Sequence, residues 1–262
     1  MPDNADMRVV AREGALLAGG ARAILLQVAH PGVARGVAEH SDFATRPLDR
    51  LRATLTYVYG VTFGTPEESR AVAAMVTEAH RAVAGAGYRA SDPELQLWVA
   101  ATLYDTALLI YERLFGPLDQ AAADTVYRQY ALLGTALQVP DGRWPAGRTA
   151  FRAYWDQMVG TLEVSDDARR IARDLLHPEW APPLLWAAMP LNRFLTAAWL
   201  PEPLRRQYGI GWDAGQQRRY DAVMTVGGAL YRRLPVPLRE APKTWYLRDL
   251  RRRLGGDGVS GG

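Results

Sequence analysis

The sequence predicts an all-α fold in a single compact multi-helix domain. Three observations carry this expectation: apolar positions recur at helical spacing along most of the chain, capping and proline start signals precede these runs, and period-two alternation is scarce. Hydrophobic residues at 48% and charged residues at 23% match an ordinary globular protein. A chain of 262 residues can bury one helical core without splitting, so residues 1–254 read as one domain. The glycine-rich stretch 255–262 reads as a disordered tail.

Taken in order, residues 8–29 predict a first, largely buried helix, ended at His30-Pro31-Gly32 because the residue before a proline is pushed out of the helical region. A short helix is expected around 32–40, and Pro47 lies near the start of one reaching about residue 63. In Thr65-Pro66-Glu67-Glu68 a cap, a proline at the first helical position and first-turn acids coincide. They predict a helix to about residue 84, stopped by Gly85 and Gly87. Ser91-Asp92-Pro93-Glu94 repeats the grammar and opens a run that ends at Gly116-Pro117. Further helices are expected over 119–138, 148–160, 166–176, 182–199, 212–233 and 237–253, punctuated by prolines. No substantial sheet is expected.

Composition excludes several function classes. The 31 basic and 28 acidic side chains are interspersed, so a net charge of +3 does not imply nucleic acid. Arg248, Arg251, Arg252 and Arg253 read as a solvated helix end. Cysteine is absent, which removes disulfides, thiolate nucleophiles and iron–sulfur sites; any metal must be held by nitrogen or oxygen. The opening Asp3, Asn4 and Asp6 are not a basic leader, and Arg22 interrupts the apolar stretch from Ala15 to Ala29. Neither a signal peptide nor a membrane span is expected, and the cytoplasm is the expected location.

Four histidines are present: His30, His40, His80 and His177. His80 falls within a strongly predicted helix, beside Val72, Ala73, Val76, Val83 and Ala84 on or near one face. Small apolar neighbours leave room for a flat, large group, and imidazole is a common axial ligand to haem iron. The other use of such a residue is a core histidine satisfied by a carbonyl. Arg50 and Thr54, four apart, share a helix face with Val58 and Val61. A buried guanidinium there needs an anionic partner, either a cofactor carboxylate or a protein acid such as Asp105. Trp98, Thr102, Asp105 and Leu109 also share a face, and Asp105 is either an internal ion-pair anchor or, with Trp98, part of a cofactor wall. His30 and His40 could join acids in a non-haem metal site, or cap a helix and hold a loop. Phosphate loops, a nucleophile elbow and a His-Glu-x-x-His helix are absent.

Several segments occur in a telling order: Leu26-Gln27-Val28-Ala29-His30-Pro31, His40-Ser41-Asp42-Phe43, and Arg50-Leu51-Arg52-Ala53-Thr54 running to Phe63-Gly64. They continue with His80-Arg81-Ala82-Val83-Ala84-Gly85 and with Tyr88 through Leu103. Over about residues 12–160 this series resembles the MpaB-like and rubber oxygenase family. The resemblance implies a globin-like helical fold holding haem b between helices. By its H-x-x-V-x-G pattern it makes His80 the proximal iron ligand, and it sets Arg50 and Thr54 on the distal side to orient and polarise oxygen. Trp98 and Asp105 join the candidate cofactor contacts.

Two departures bear on the site. Rubber oxygenases carry a lysine just before the threonine, where this chain has Ala53, so distal ligation by lysine is excluded. The usual W-V-H-A-T-L becomes Trp98-Val99-Ala100-Ala101-Thr102-Leu103, and Glu39 matches the family's glutamate base by position only. The implied activity is a haem b-dependent oxygenase acting with O2 on a small apolar, unsaturated substrate rather than an extracellular polymer. The alternatives are a haem or apolar-ligand binding protein without turnover, and a helical partner protein in which His80 is inert.

Overall fold

The computed structural model describes residues 6–40, 47–178 and 183–256. Helices dominate: α1 (Met7–Ala11), a 3-10 turn (Gly14–Gly19), α2 (Gly20–Ala29), α3 (Pro31–His40), α4 (Pro47–Phe63) and α5 (Pro66–Arg81) precede α6 (Pro93–Phe115). The second half contains α7 (Gln120–Tyr130), α8 (Leu132–Thr135), α9 (Arg148–Thr161), α10 (Asp166–Leu176), α11 (Pro183–Trp199), α12 (Glu202–Gln207), α13 (Ala214–Arg233), α14 (Val236–Arg239) and α15 (Ala241–Gly256). The only strands among the described residues are β1 (Ala84–Gly85) and β2 (Tyr88–Arg89), an antiparallel pair closed through Gly87 at φ +83°. No helix among the described residues is long and apolar enough to cross a membrane.

Local chemistry accounts for the helix starts. Thr65 accepts from the Glu68 N–H while the Glu68 carboxylate accepts from the Thr65 N–H, a reciprocal cap repeated by Asp213 and Gln216 at α13. Asp92 caps α6, Ser165 caps α10, and Gly116 at φ +89° ends α6.

The single helix expected over 8–29 is instead three pieces, and distant packing explains the break. A Cβ on Gly19 would lie 2.3 Å from Ile110 Cδ1 and 2.6 Å from Thr106 Cγ2, so the backbone here presses directly on α6. Glu13 is buried and accepts from Arg239 and from the Tyr231 hydroxyl, each at 2.9 Å, which fixes the chain between α1 and the turn. The helix expected over 119–138 divides at Ala131 and stops at Thr135, because the Gln138 N–H is drawn to the Gln96 amide oxygen at 2.8 Å. The stretch 237–253 is likewise two helices, α14 and α15, and the short α12 has no counterpart among the expected elements. Helix α15 continues through Gly256, past the expected start of the tail, and 257–262 lie outside the described residues.

The core is built around α6. Trp98 is fully buried, donates from Nε1 to the Leu26 carbonyl at 2.9 Å and tilts against Trp155 with centroids 5.4 Å apart. Tyr104 stands edge-on to Tyr130 and Phe151 at 5.4 and 4.9 Å, the geometry that aromatic quadrupoles favour. At the surface, Arg251 pairs with Glu68 at 2.8 Å, and Arg252 and Arg253 both pair with Asp249, at 3.5 and 2.8 Å.

The corner between α2 and α3 carries a pH-dependent element. His30 Nδ1 accepts from the Gly32 N–H at 3.1 Å, a bond that requires that nitrogen to be unprotonated. Burial lowers the His30 pKa, with the Asp92 charge opposing. The unfolded chain, titrating near about 6.5, therefore binds more protons than the folded one just below that pH. Stability should fall as pH drops through about 6.5, and a His30→Asn variant should show a flatter dependence in denaturant titrations across that window. Parallel wild-type and variant curves would remove His30 as the cause.

Candidate functional site

A cavity of about 1450 Å³, counting the open space at its mouth, lies among α3, α4, α5, the hairpin, α6 and α8. Helix α5 contributes Val76, Ala79 and His80, spaced to face one side, and Val83 follows just beyond its end. Helix α4 contributes Ala53, Thr54 and Tyr57. Gly60 permits the close pairing of α4 with α5, since a Cβ there would sit 2.9 Å from both methyls of Val72. His80 and Thr54, from different predicted helices, thus line one cavity.

Glycines on α3 keep its wall low. A Cβ on Gly36 would lie 3.3 Å from Tyr88 Cε2 and 3.4 Å from Val83 Cγ1, and one on Gly32 would lie 3.4 Å from the Leu95 methyls. Tyr88, Val83 and Leu95 also line the cavity. Ala79, Ala90 and Ala100 add little bulk, so the lining suits a broad, largely apolar group.

His80 is half-buried, with Nδ1 3.5 Å from the Gln96 amide nitrogen. That amide is itself held: its nitrogen donates to the Ala90 carbonyl at 3.0 Å and to the Gln138 side chain, while its oxygen takes the Gln138 N–H. Gln138 in turn donates to Thr77 at 2.9 Å. This tethered amide packs beside the imidazole and limits how the ring can turn; its two N–H groups are committed to Ala90 and Gln138, and an amide nitrogen does not accept a ring N–H. Gln96 and Gln138 are not among the residues that the sequence singles out, although a glutamine between Leu95 and Leu97 in an apolar run is itself a signal of a buried polar contact.

Other candidates are distributed differently. His40 lines the cavity, with Nε2 3.0 Å from the Ala84 carbonyl and its ring edge-on to Tyr88. Tyr88 donates to the Glu39 carboxylate, and its phenol is pushed up to about 12 by desolvation first and by Glu39 second. Glu39 is not among the lining residues. Trp98 and Asp105 do not line the cavity either: Trp98 belongs to the core, and Asp105 pairs with Arg22 at 2.6 Å. Arg50 lies on α4, but its side chain falls outside the described part of the structure, as do residues 41–46.

The donor set constrains what metal could be held. Among the described residues no group of three or more His, Cys, Asp or Glu side chains is arranged to hold a bare ion. An iron that arrives chelated by a porphyrin needs from the protein only an axial ligand such as one imidazole, and His80 with its wide, small-residue surroundings fits that requirement.

Comparison with known proteins gives concordant results. The profile of the family described as ER-bound oxygenase mpaB/B'/Rubber oxygenase, catalytic domain, matches residues 7–229. Two uncharacterised proteins, Mb2261 of Mycobacterium bovis and Rv2237 of Mycobacterium tuberculosis, are each 37% identical over 213 residues, covering 78% of this chain and 84% of theirs. No solved structure gives a significant match.

Proposed function

Since this chain belongs to the mpaB and rubber oxygenase catalytic-domain family, we propose that it is a haem b-dependent oxygenase acting with O2 on a small apolar, unsaturated substrate. The observation that carries the proposal is His80: an imidazole beside a tethered amide, on a cavity lined largely by apolar side chains and kept broad by Gly32, Gly36, Ala79, Ala90 and Ala100. In this reading the His80 imidazole would hold the haem iron, and haem would supply the redox chemistry that activates O2. Thr54 brings a hydroxyl to the same lining, available to donate where negative charge grows on oxygen. Arg50 is given the same role on the strength of the family pattern, one helical turn before Thr54. The apolar walls exclude water from the reacting centre.

The test is a visible spectrum of the chain expressed with haem precursor, followed by O2 uptake with uncharged alkenes such as 1-octene and limonene. A Soret band with alkene-dependent uptake is expected. Thr54→Val should keep the band and slow uptake on the order of 10²-fold. A colourless protein after haem reconstitution overturns the reading. A haem-loaded protein without uptake for any alkene leaves a haem-binding protein that does not turn over.

A further inference from the structure

A second cavity, about 850 Å³ with its open space included, adjoins the first. Gln27, Thr54, Leu103 and Leu133 line both, so they form the boundary between the two. No Asp, Glu, Lys, Arg or His side chain lines this inner chamber among the described residues. Two of its polar groups are already engaged elsewhere: the Gln27 amide donates to Thr102 at 3.2 Å, and Thr106 takes a hydrogen bond from Arg22 at 2.5 Å. A charged ligand would lose its hydration here without a counter-charge, whereas a hydrocarbon loses nothing of the kind.

Gly20 shows what the space is for. Its backbone is ordinary right-handed helix, φ −56° and ψ −45°, so the conformation does not require glycine. Packing does not require it either: a Cβ there would meet Leu51 Cδ1 at 3.7 Å, an ordinary contact, in contrast to the collisions at neighbouring Gly19. Glycine in a helix costs stability relative to alanine. What its absent side chain provides is room, because both Gly20 and Leu51 line the chamber.

We propose that this inner chamber is the seat of the substrate's hydrocarbon part, taking an uncharged alkyl chain or ring, and that Gly20 sets how large a group enters. The inference rests on the oxygenase reading for the word substrate, but the binding it asserts is measured without turnover. The probe is 1-octene, its uptake by the full chain followed by depletion of the headspace vapour, for protein with and without haem. Gly20→Leu fills the chamber from its wall and should weaken 1-octene binding about tenfold or more, while Gly20→Ala stays near wild type. Octanoate, matched in length but charged, should compete at least about tenfold less well.

Unchanged 1-octene binding by Gly20→Leu, octanoate competing as well as the alkene, or no 1-octene uptake by wild type would each overturn the chamber assignment. Should Gly20→Leu not fold, Ala23→Val reduces the same space from the next turn of α2 and is expected to shift binding in the same direction. Haem binding with no 1-octene uptake overturns the chamber and leaves the oxygenase reading standing. Gly20-dependent uptake by a chain that takes no haem supports the chamber and overturns the oxygenase reading.

Discussion

His80→Ala is expected to give a folded protein without a Soret band. The residue sits in the last turn of α5, a helix in which only Val72 is buried, so truncation opens little of the core. The stability cost should stay within about 1–2 kcal/mol, the range for losing one half-buried polar side chain. The spectroscopic cost is total by comparison, because the proposed site draws its iron ligand from His80, while the other histidine on the lining, His40, is engaged with the Ala84 carbonyl and the Tyr88 ring. Added imidazole should restore the band in the alanine variant by occupying the vacated position. A variant that keeps the wild-type spectrum would remove His80 from the site, and a variant that unfolds would be replaced by His80→Gln, which keeps polarity while removing the ring.

How far the sequence discloses the molecule depends on how local each determinant is. Thr65, Asp92 and Ser165 act within one turn, and the helices they start begin where their signals lie. The break after Ala11 depends on Glu13 meeting Arg239 and on Gly19 meeting Ile110, contacts that no window of the sequence contains. The same distinction holds in the site. Helical spacing shows that His80 looks along the Val76 and Val83 face, but only the packing of α4 on α5 brings Thr54 to the same cavity. Trp98 lies two residues from Gln96 on α6, which turns its side chain well away around the helix, toward Leu26 and Trp155. The sequence marked Asp105 as an anchor or a cofactor contact. Its partner is Arg22, which interrupts an apolar run, and that interruption is the local signal of the pair: a cation inside a buried helix needs an acid.

Asp105→Ala is accordingly expected to destabilise the fold by about 3–5 kcal/mol, the cost of stranding a buried charge. Arg22 is 3% exposed, and its guanidinium donates to Asp105 at 2.6 Å, to Thr106 at 2.5 Å and to the Trp199 carbonyl at 2.8 Å. Removing the carboxylate leaves the two neutral acceptors to hold a cation already disfavoured by burial, the direction in which its pKa is displaced. The double variant Arg22→Met, Asp105→Leu removes both charges and should recover most of the loss, since matched apolar replacements of buried pairs are often neutral. Denaturant midpoints for the singles and the double give the coupling directly. Thr106 lines the inner chamber and is tied by Arg22, so a folded Asp105→Ala protein below its midpoint should also bind 1-octene less tightly while keeping its Soret band. A loss below about 1 kcal/mol would mean that water reaches Arg22 and that the pair is not the clamp between α2, α6 and α11.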